Sequence, residues 1–221
     1  MAKHLQREIE NLKKKLLALS ARVETVVQKA TLSIEERDTT LAQKVIENDI
    51  EIDRMEVEVE EDCLKTLALY QPVATDLRFI VAVLKINNDL ERIGDLAVNI
   101  AERSIFLAHQ PRVDITLDFI DMAQKARCML KKSLDALVNI SVDIAGEVCA
   151  SDDIIDGINR QMYLKVQKAI SNNPKQMESL IHLLSVSRHL ERIADHATNI
   201  AEDVIYMIKG QIVRHRTEDY K

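Results

Sequence analysis

The amino-acid sequence predicts an all-α fold, two tandem, duplicated three-helix bundles made of six long antiparallel helices. Three observations carry that expectation. The composition suits helices: 221 residues include 4 Gly, 3 Pro and no Trp, with aromatics at 3% and abundant Ala, Leu, Ile, Glu and Lys. Apolar residues recur at spacings of three and four along most of the chain. Finally, Leu90–Glu102 recurs as Leu190–Glu202 with 10 of 13 positions identical, so the molecule is built twice over.

The first helix is read from Leu5, Ile9, Leu12, Leu16, Leu19, Val23, Val26 and Ala30, a coiled-coil-like seam. Asp38 and Thr39 offer a cap for the second, which Pro72 stops after Tyr70. The third runs from about Thr75 to about His109, ahead of Pro111. Asp114 can cap the fourth, running towards Ile140; Ser141 can begin the fifth, which Pro174 closes. The sixth extends to about Arg214, with a frayed tail from Arg214 to Lys221. Helices of roughly 30 residues are ~45 Å long.

The duplication reaches further back. Leu41–Asp53 resembles Ile144–Asp156 at an offset of 103, matching Val45 with Val148, Asp49 with Asp152, Ile52 with Ile155 and Asp53 with Asp156. Each half is then a three-helix unit, 1–110 and 111–221, and the two are expected to pack side by side. The net charge of -6 shows no basic stripe for nucleic acid. Cys63, Cys128 and Cys149 are odd in number and lack CxxC spacing, as expected of reduced thiols in the cytosol. No apolar run reaches the ~18 residues of a membrane span, and no signal-peptide core is present, so the reading is a soluble intracellular protein.

A duplication kept only for packing would retain only apolar positions. This one also retains carboxylates. On the third helix Leu90, Ile93, Ala97 and Ile100 share one side, while Glu91, Asp95, Asn99 and Glu102 share nearly the opposite one. That places the acids on the outer surface of the bundle rather than in a buried dyad of raised pKa. On the second helix Asp49 and Asp53 continue through Glu56 and Glu60, flanked by Ile46-Ile50-Val57-Leu64 and Val45-Ile52-Val59. Carboxylates at i and i+4 lie ~6 Å apart and repel. If the two acidic stripes face each other, Asp49, Asp53, Glu91 and Asp95 converge and call for a cation. Oxygen-rich ligation suits Mg²⁺, Mn²⁺, Ca²⁺ or iron. The alternative is a solvated acidic face with no ligand.

The second half is the weaker copy. Asn159 and Tyr163 stand where the first half has Glu56 and Glu60, leaving Asp152, Asp156, Glu191 and Asp195. His182, His189 and His196 recur every seven residues, ~10.5 Å apart along a helix and too far to share one ion. They read as independent flanking residues, with His189 alone placed to join the second acidic cluster. Asp76-Leu77-Arg78 reads as a charge pair at a helix N-terminus or as a partner contact. No phosphate-binding Gly-rich loop, GxSxG or HExxH occurs, so no catalytic residue or organic cofactor is assigned.

With these stripes located, Gln71-Pro72-Val73-Ala74-Thr75-Asp76-Leu77-Arg78 followed by Asn88-Asp89-Leu90-Glu91-Arg92-Ile93-Gly94-Asp95 resembles the signature of the PhoU family. The second copy from His189 to Glu202 and the Asp-x-x-Ile-Asp steps at Asp49 and Asp152 agree with it. The resemblance covers essentially the whole chain. It implies a cytoplasmic, non-enzymatic, homodimeric regulator of phosphate uptake, acting with the phosphate ABC transporter ATPase and a sensor histidine kinase to restrain the phosphate-starvation response. It also implies iron or zinc clusters held by Asp49/Asp53, Glu91/Asp95, Asp152/Asp156 and Glu191/Asp195. Two alternatives stand beside it. A ferritin-like di-iron enzyme is disfavoured because the chain has no Glu-x-x-His. A metal-free helical scaffold would leave the acids merely solvated.

Overall fold

An apolar seam makes α1 (Ala2–Glu36) a core helix: Leu12, Leu16, Leu19, Val23, Val26 and Ala30 are all buried. The chain continues through α2 (Thr39–Glu47), α3 (Asp49–Tyr70) and α4 (Ala74–Ala108). The second repeat comprises α5 (Phe119–Asn139), α6 (Val142–Asn172), a 3₁₀ turn (Pro174–Gln176) and α7 (Met177–Lys209). This computed structural model describes residues 2–113, 115 and 119–211, and among them there is no strand. The expected cap Asp114 and the expected tail from Arg214 lie outside the described residues.

Six rods were expected, and six are found, but the second is broken. Asn48 separates α2 from α3 because its side-chain amide donates back to the Lys44 carbonyl while its own carbonyl oxygen accepts from Arg22, 2.6 Å away on α1. A side chain that competes for the backbone in this way interrupts a helix. The break puts Asp49 in a new first turn.

The hairpin turns are duplicated as faithfully as the helices. Arg37 (φ 57°) and Ile140 (φ 50°) both take the left-handed conformation, 103 positions apart. Behind each, the next amide donates to a carbonyl five residues back, Asp38 to Ser33 at 3.1 Å and Ser141 to Ala136 at 3.0 Å. Those next residues then cap the following helix, Asp38 accepting from the amides of Thr40 and Leu41 and Ser141 from that of Ile144. Ile140 is β-branched and exposed, so nothing offsets its strained backbone. Ile140→Gly is therefore expected to stabilise by about 1 kcal/mol, raising the thermal midpoint by about 2–4 °C. A lower midpoint would refute this. Arg37 is different, since its guanidinium holds the Leu107 and Gln110 carbonyls at the end of α4.

The repeats meet chiefly along α4 and α7, with α1 against α5, and one continuous buried cluster runs through both. Lys85 reaches Asp203 at 2.9 Å, Asp89 receives His196 Nδ1 at 2.8 Å, and Phe106 stacks on His182 with ring centroids 3.8 Å apart. Early residues of α4 thus face late residues of α7, and the two helices run antiparallel. At the far end Gly210 (φ 70°) closes α7, with the Arg78 guanidinium packed against it. Arg78 reaches Thr75 at 3.4 Å, and Asp76 occupies the first turn of α4.

Candidate cation sites between paired helices

The acidic side chains belong to two seams, α3 against α4 and α6 against α7. In the first, Asp49 and Asp53 stand one turn apart on the flank of α3, and Glu91 and Asp95 one turn apart on α4. Gly94 lies between the α4 pair and faces α3. A Cβ there would meet two Ile52 methyl carbons at 3.3 Å and an Asp49 carboxylate oxygen at 3.8 Å. The second repeat has Ala194 at the corresponding position.

Convergence shows in the electrostatics. Burial pushes the Asp49 carboxyl up to about 6, with help from Asp53 on its own helix and Asp95 on the facing one. Glu91 is also raised, first by burial and then by Asp95, with smaller contributions from Glu56 and Asp53, while Arg92 opposes the shift. Glu56 is raised by burial and then by Glu60 and Asp53. The first-half acids therefore share one field. The exposed Arg92 bridges Glu91 and Asp95 at 3.4 and 3.3 Å. One Glu91 carboxylate oxygen is nevertheless buried without a hydrogen bond, since Arg92 Nε approaches it outside bonding geometry.

This revises the sequence reading. Glu91 and Asp95 oppose the core stripe of α4, but α3 lies alongside and half-covers Glu91. The acids occupy a groove, and Asp49 and Glu91 do have raised pKa values, contrary to the expectation of a wholly outward stripe.

The second seam repeats the arrangement with less charge. Burial raises Asp195 to about 6, followed by Glu191, Asp152 and Asp156. Asp152 is raised by burial and by Asp156 and Asp153, against a hydrogen bond from the Thr198 hydroxyl at 3.2 Å. Where Asn87 donates to the Glu56 carboxylate at 3.0 Å, the twin contact runs from the Ser187 hydroxyl to Asn159 at 2.6 Å. The duplicate kept the hydrogen bond and discarded the anion.

Hard oxygen donors, crowded and partly desolvated, suit a hard cation chemically. Geometrically they are not yet a chelate: among the described residues no three Asp, Glu, His or Cys side chains are grouped closely enough to hold one metal ion. Binding would require the flexible carboxylates to swing together across the groove.

The histidines belong elsewhere. His189 does not join the second acidic cluster. It bonds Ser185 at 3.2 Å, and burial, then Arg103, Arg192 and Arg188, pull its pKa down to about 4. His182 lies against Phe106 and His196 against Asp89, so the seven-residue spacing marks the face of α7 turned to α4. Sequence reasoning missed these inter-repeat contacts, although Asp89 and His189 at equivalent positions were a signal that the two ends differ.

A cavity of about 280 Å³ lies away from both acidic seams. It sits where α1, α4, α5 and α7 approach one another, lined mainly by apolar groups such as Ile34, Leu107, Phe119 and Leu183. Cys63, Cys128 and Cys149 are free thiols, and burial pushes the Cys63 and Cys149 thiols up to about 12.

Comparison with known proteins agrees with the duplicated architecture. A family model described as the PhoU domain matches residues 16–104 and again 119–204. A phosphate-specific transport system accessory protein PhoU homolog of Aquifex aeolicus is 37% identical over 212 residues, covering 96% of each chain. The homolog of Clostridium acetobutylicum is 35% identical over 212 residues, covering 96% of this chain and 97% of its own. The crystal structure of PhoU from Pseudomonas aeruginosa superposes with a TM-score of 0.90 at 33% identity, over 93% of this chain and 99% of that one. The phosphate transport system regulatory protein PhoU of Streptococcus pneumoniae gives 0.83 at 27% identity, over 95% and 99%. The chain belongs to the PhoU family.

Proposed function

We propose that this protein is a non-enzymatic accessory regulator of phosphate transport in the cytoplasm. It acts as an adaptor between the phosphate ABC transporter ATPase and a sensor histidine kinase, and restrains the phosphate-starvation response when phosphate is plentiful. The observation that carries the reading is end-to-end similarity, 37% identity across 96% of the chain, to a protein named as an accessory of phosphate-specific transport. Long rigid helices with charged outer faces suit a protein that works by binding other proteins. Among the described residues no helix is long and apolar enough to cross a membrane, so such a regulator would reach the transporter by docking.

In this reading the two acidic seams bind cations that fix α3 against α4 and α6 against α7, and the working form is a homodimer. Asp49, Asp53, Glu91 and Asp95 would hold the first site, and Asp152, Asp156, Glu191 and Asp195 the second. Neutralising a crowded anionic groove is the gain a cation would supply. Glu91→Ala with Asp95→Ala is expected to remove the metal of the first site, leaving helicity and the second site intact. Unchanged metal content by elemental analysis would sink the cation half of the proposal. The ferritin-like alternative fits less well, because the acids lie in outer seams rather than inside a bundle, and no Glu-x-x-His pair occurs.

Recovery of the tagged protein from phosphate-replete and phosphate-starved cells tests the adaptor. Co-purification of the ATPase and the kinase, changing with phosphate supply, is the expected result. Recovery of neither partner under either condition would overturn it.

A further inference from the structure

The outward face of α3 carries a feature that the acidic seam does not explain. At about 100° per residue, Ile52, Val59, Cys63 and Thr66 share one side of α3 and are buried. Diametrically opposite, seven residues apart, stand Ile50, Val57 and Leu64, which are 76%, 49% and 53% exposed. Single exposed apolar residues are ordinary, but a row of three along one helix face is the anchor pattern of helix–helix recognition. The duplicate supplies an internal control. Its equivalents on α6 are Asp153, Arg160 and Gln167, all polar, and its exposed Ile154, Tyr163 and Leu164 point in different directions around the helix. Only the first repeat keeps the row.

The flanks of the row are unlike. On the side of α1 the acids are matched: Glu51 pairs with Arg22, and Asp62 and Glu58 with Lys15. On the side of α4 stand Asp53 and Glu60, both exposed, and among the described residues neither pairs with a Lys or Arg. In the cation-free protein the surface is thus an apolar row with uncompensated negative charge along one edge. A second copy of this acidic chain would set like charges against each other, and an anionic bilayer would be repelled.

We infer that the Ile50–Val57–Leu64 face of α3 docks an amphipathic helix of a partner protein, one whose apolar row is bordered by Lys or Arg on the side turned towards α4. This rests on the adaptor reading and gives the partner's chemistry, yet its test is independent of the pull-down. A failed pull-down with intact peptide binding would remove the adaptor and leave the docking face.

The probe is a fluorescent synthetic helix with Leu along one face and Lys on one flank, measured by anisotropy against the full chain in a chelating buffer. Two control peptides accompany it, one with Glu for Lys and one with Ser for Leu. Val57→Asp with Leu64→Asp is expected to weaken binding about tenfold even though it adds negative charge. Val57→Ser with Leu64→Ser is expected to act in the same direction, and Asp53→Asn with Glu60→Gln to weaken binding and flatten its salt dependence. Both control peptides should bind poorly. Equal or tighter binding by the Asp variant, or equal binding of the Ser-for-Leu peptide, would reduce the effect to general charge attraction and overturn the inference. Loss of dimerisation in the Asp or Ser variant, seen by sedimentation, would assign the face to a second copy and overturn it as well.

Discussion

Asp49→Asn is expected to raise the thermal midpoint of the metal-free protein at pH 7 by about 2–4 °C and to leave it nearly unchanged near pH 4. The Asp49 carboxyl is lifted from 3.8 to about 6, by burial first and then by Asp53 and Asp95. A folded-state pKa above the unfolded one means that folding favours the protonated form. The stabilising contribution is full below the unfolded value and is lost as pH rises through about 6. Two pKa units would correspond to about 3 kcal/mol, but the side chain is only partly buried, so solvent screening roughly halves that. Asn also forgoes a few tenths of a kcal/mol from a carboxylate in the first turn of α3, leaving about 1 kcal/mol. Asp195→Asn should act in the same direction but more weakly, since Asp195 is raised to about 6 while it is more exposed to solvent, which screens the effect further. Thermal melts from pH 4 to pH 7 read the effect directly. Parallel curves for wild type and variant across that window would show that the acids are not strained against one another. The same strain is what a bound cation would relieve, so added metal should stabilise the wild type more than either variant.

Lys85→Met should cost about 3 kcal/mol, lowering the midpoint by about 6–12 °C. Lys85 crosses from α4 to the buried Asp203 of α7 at 2.9 Å and lies over the Tyr206 ring, 5.1 Å from its centre. Removing the ammonium leaves a carboxylate that is 1% exposed without this cation. The cost falls at the low end of the usual range because the Lys85 side chain is itself 36% exposed. Adding Asp203→Leu should recover most of the loss, since a buried pair replaced by apolar groups is often neutral. A loss below about 1 kcal/mol for Lys85→Met, or no rescue in the double variant, would show that the pair does not hold the repeats together.

Much of this was legible in the sequence because helices are local. The seam of α1, the caps at Asp38 and Ser141 and the stop at Pro72 all depend on residues within a few positions of one another, and the structure has each where the pattern placed it. The break at Asn48 was not legible, because it depends on Arg22 reaching over from another helix. The acids were half legible. Their pairing along each helix and their repetition were plain, whereas the burial that raises Asp49, Glu91 and Asp195 required knowing which helix lay alongside.

The sequence by itself determined an all-helical chain, its duplication, its family and the residues that form two acidic groups. Only the tertiary structure decided that α4 and α7 form the seam between repeats, that the three regularly spaced histidines face that seam, and that burial between paired helices raises Asp49 and Glu91. Periodicity records which side of a helix is buried, but not what buries it. That choice rests on pairs such as Lys85 with Asp203, more than a hundred residues apart, which carry no local signature until the helices pack.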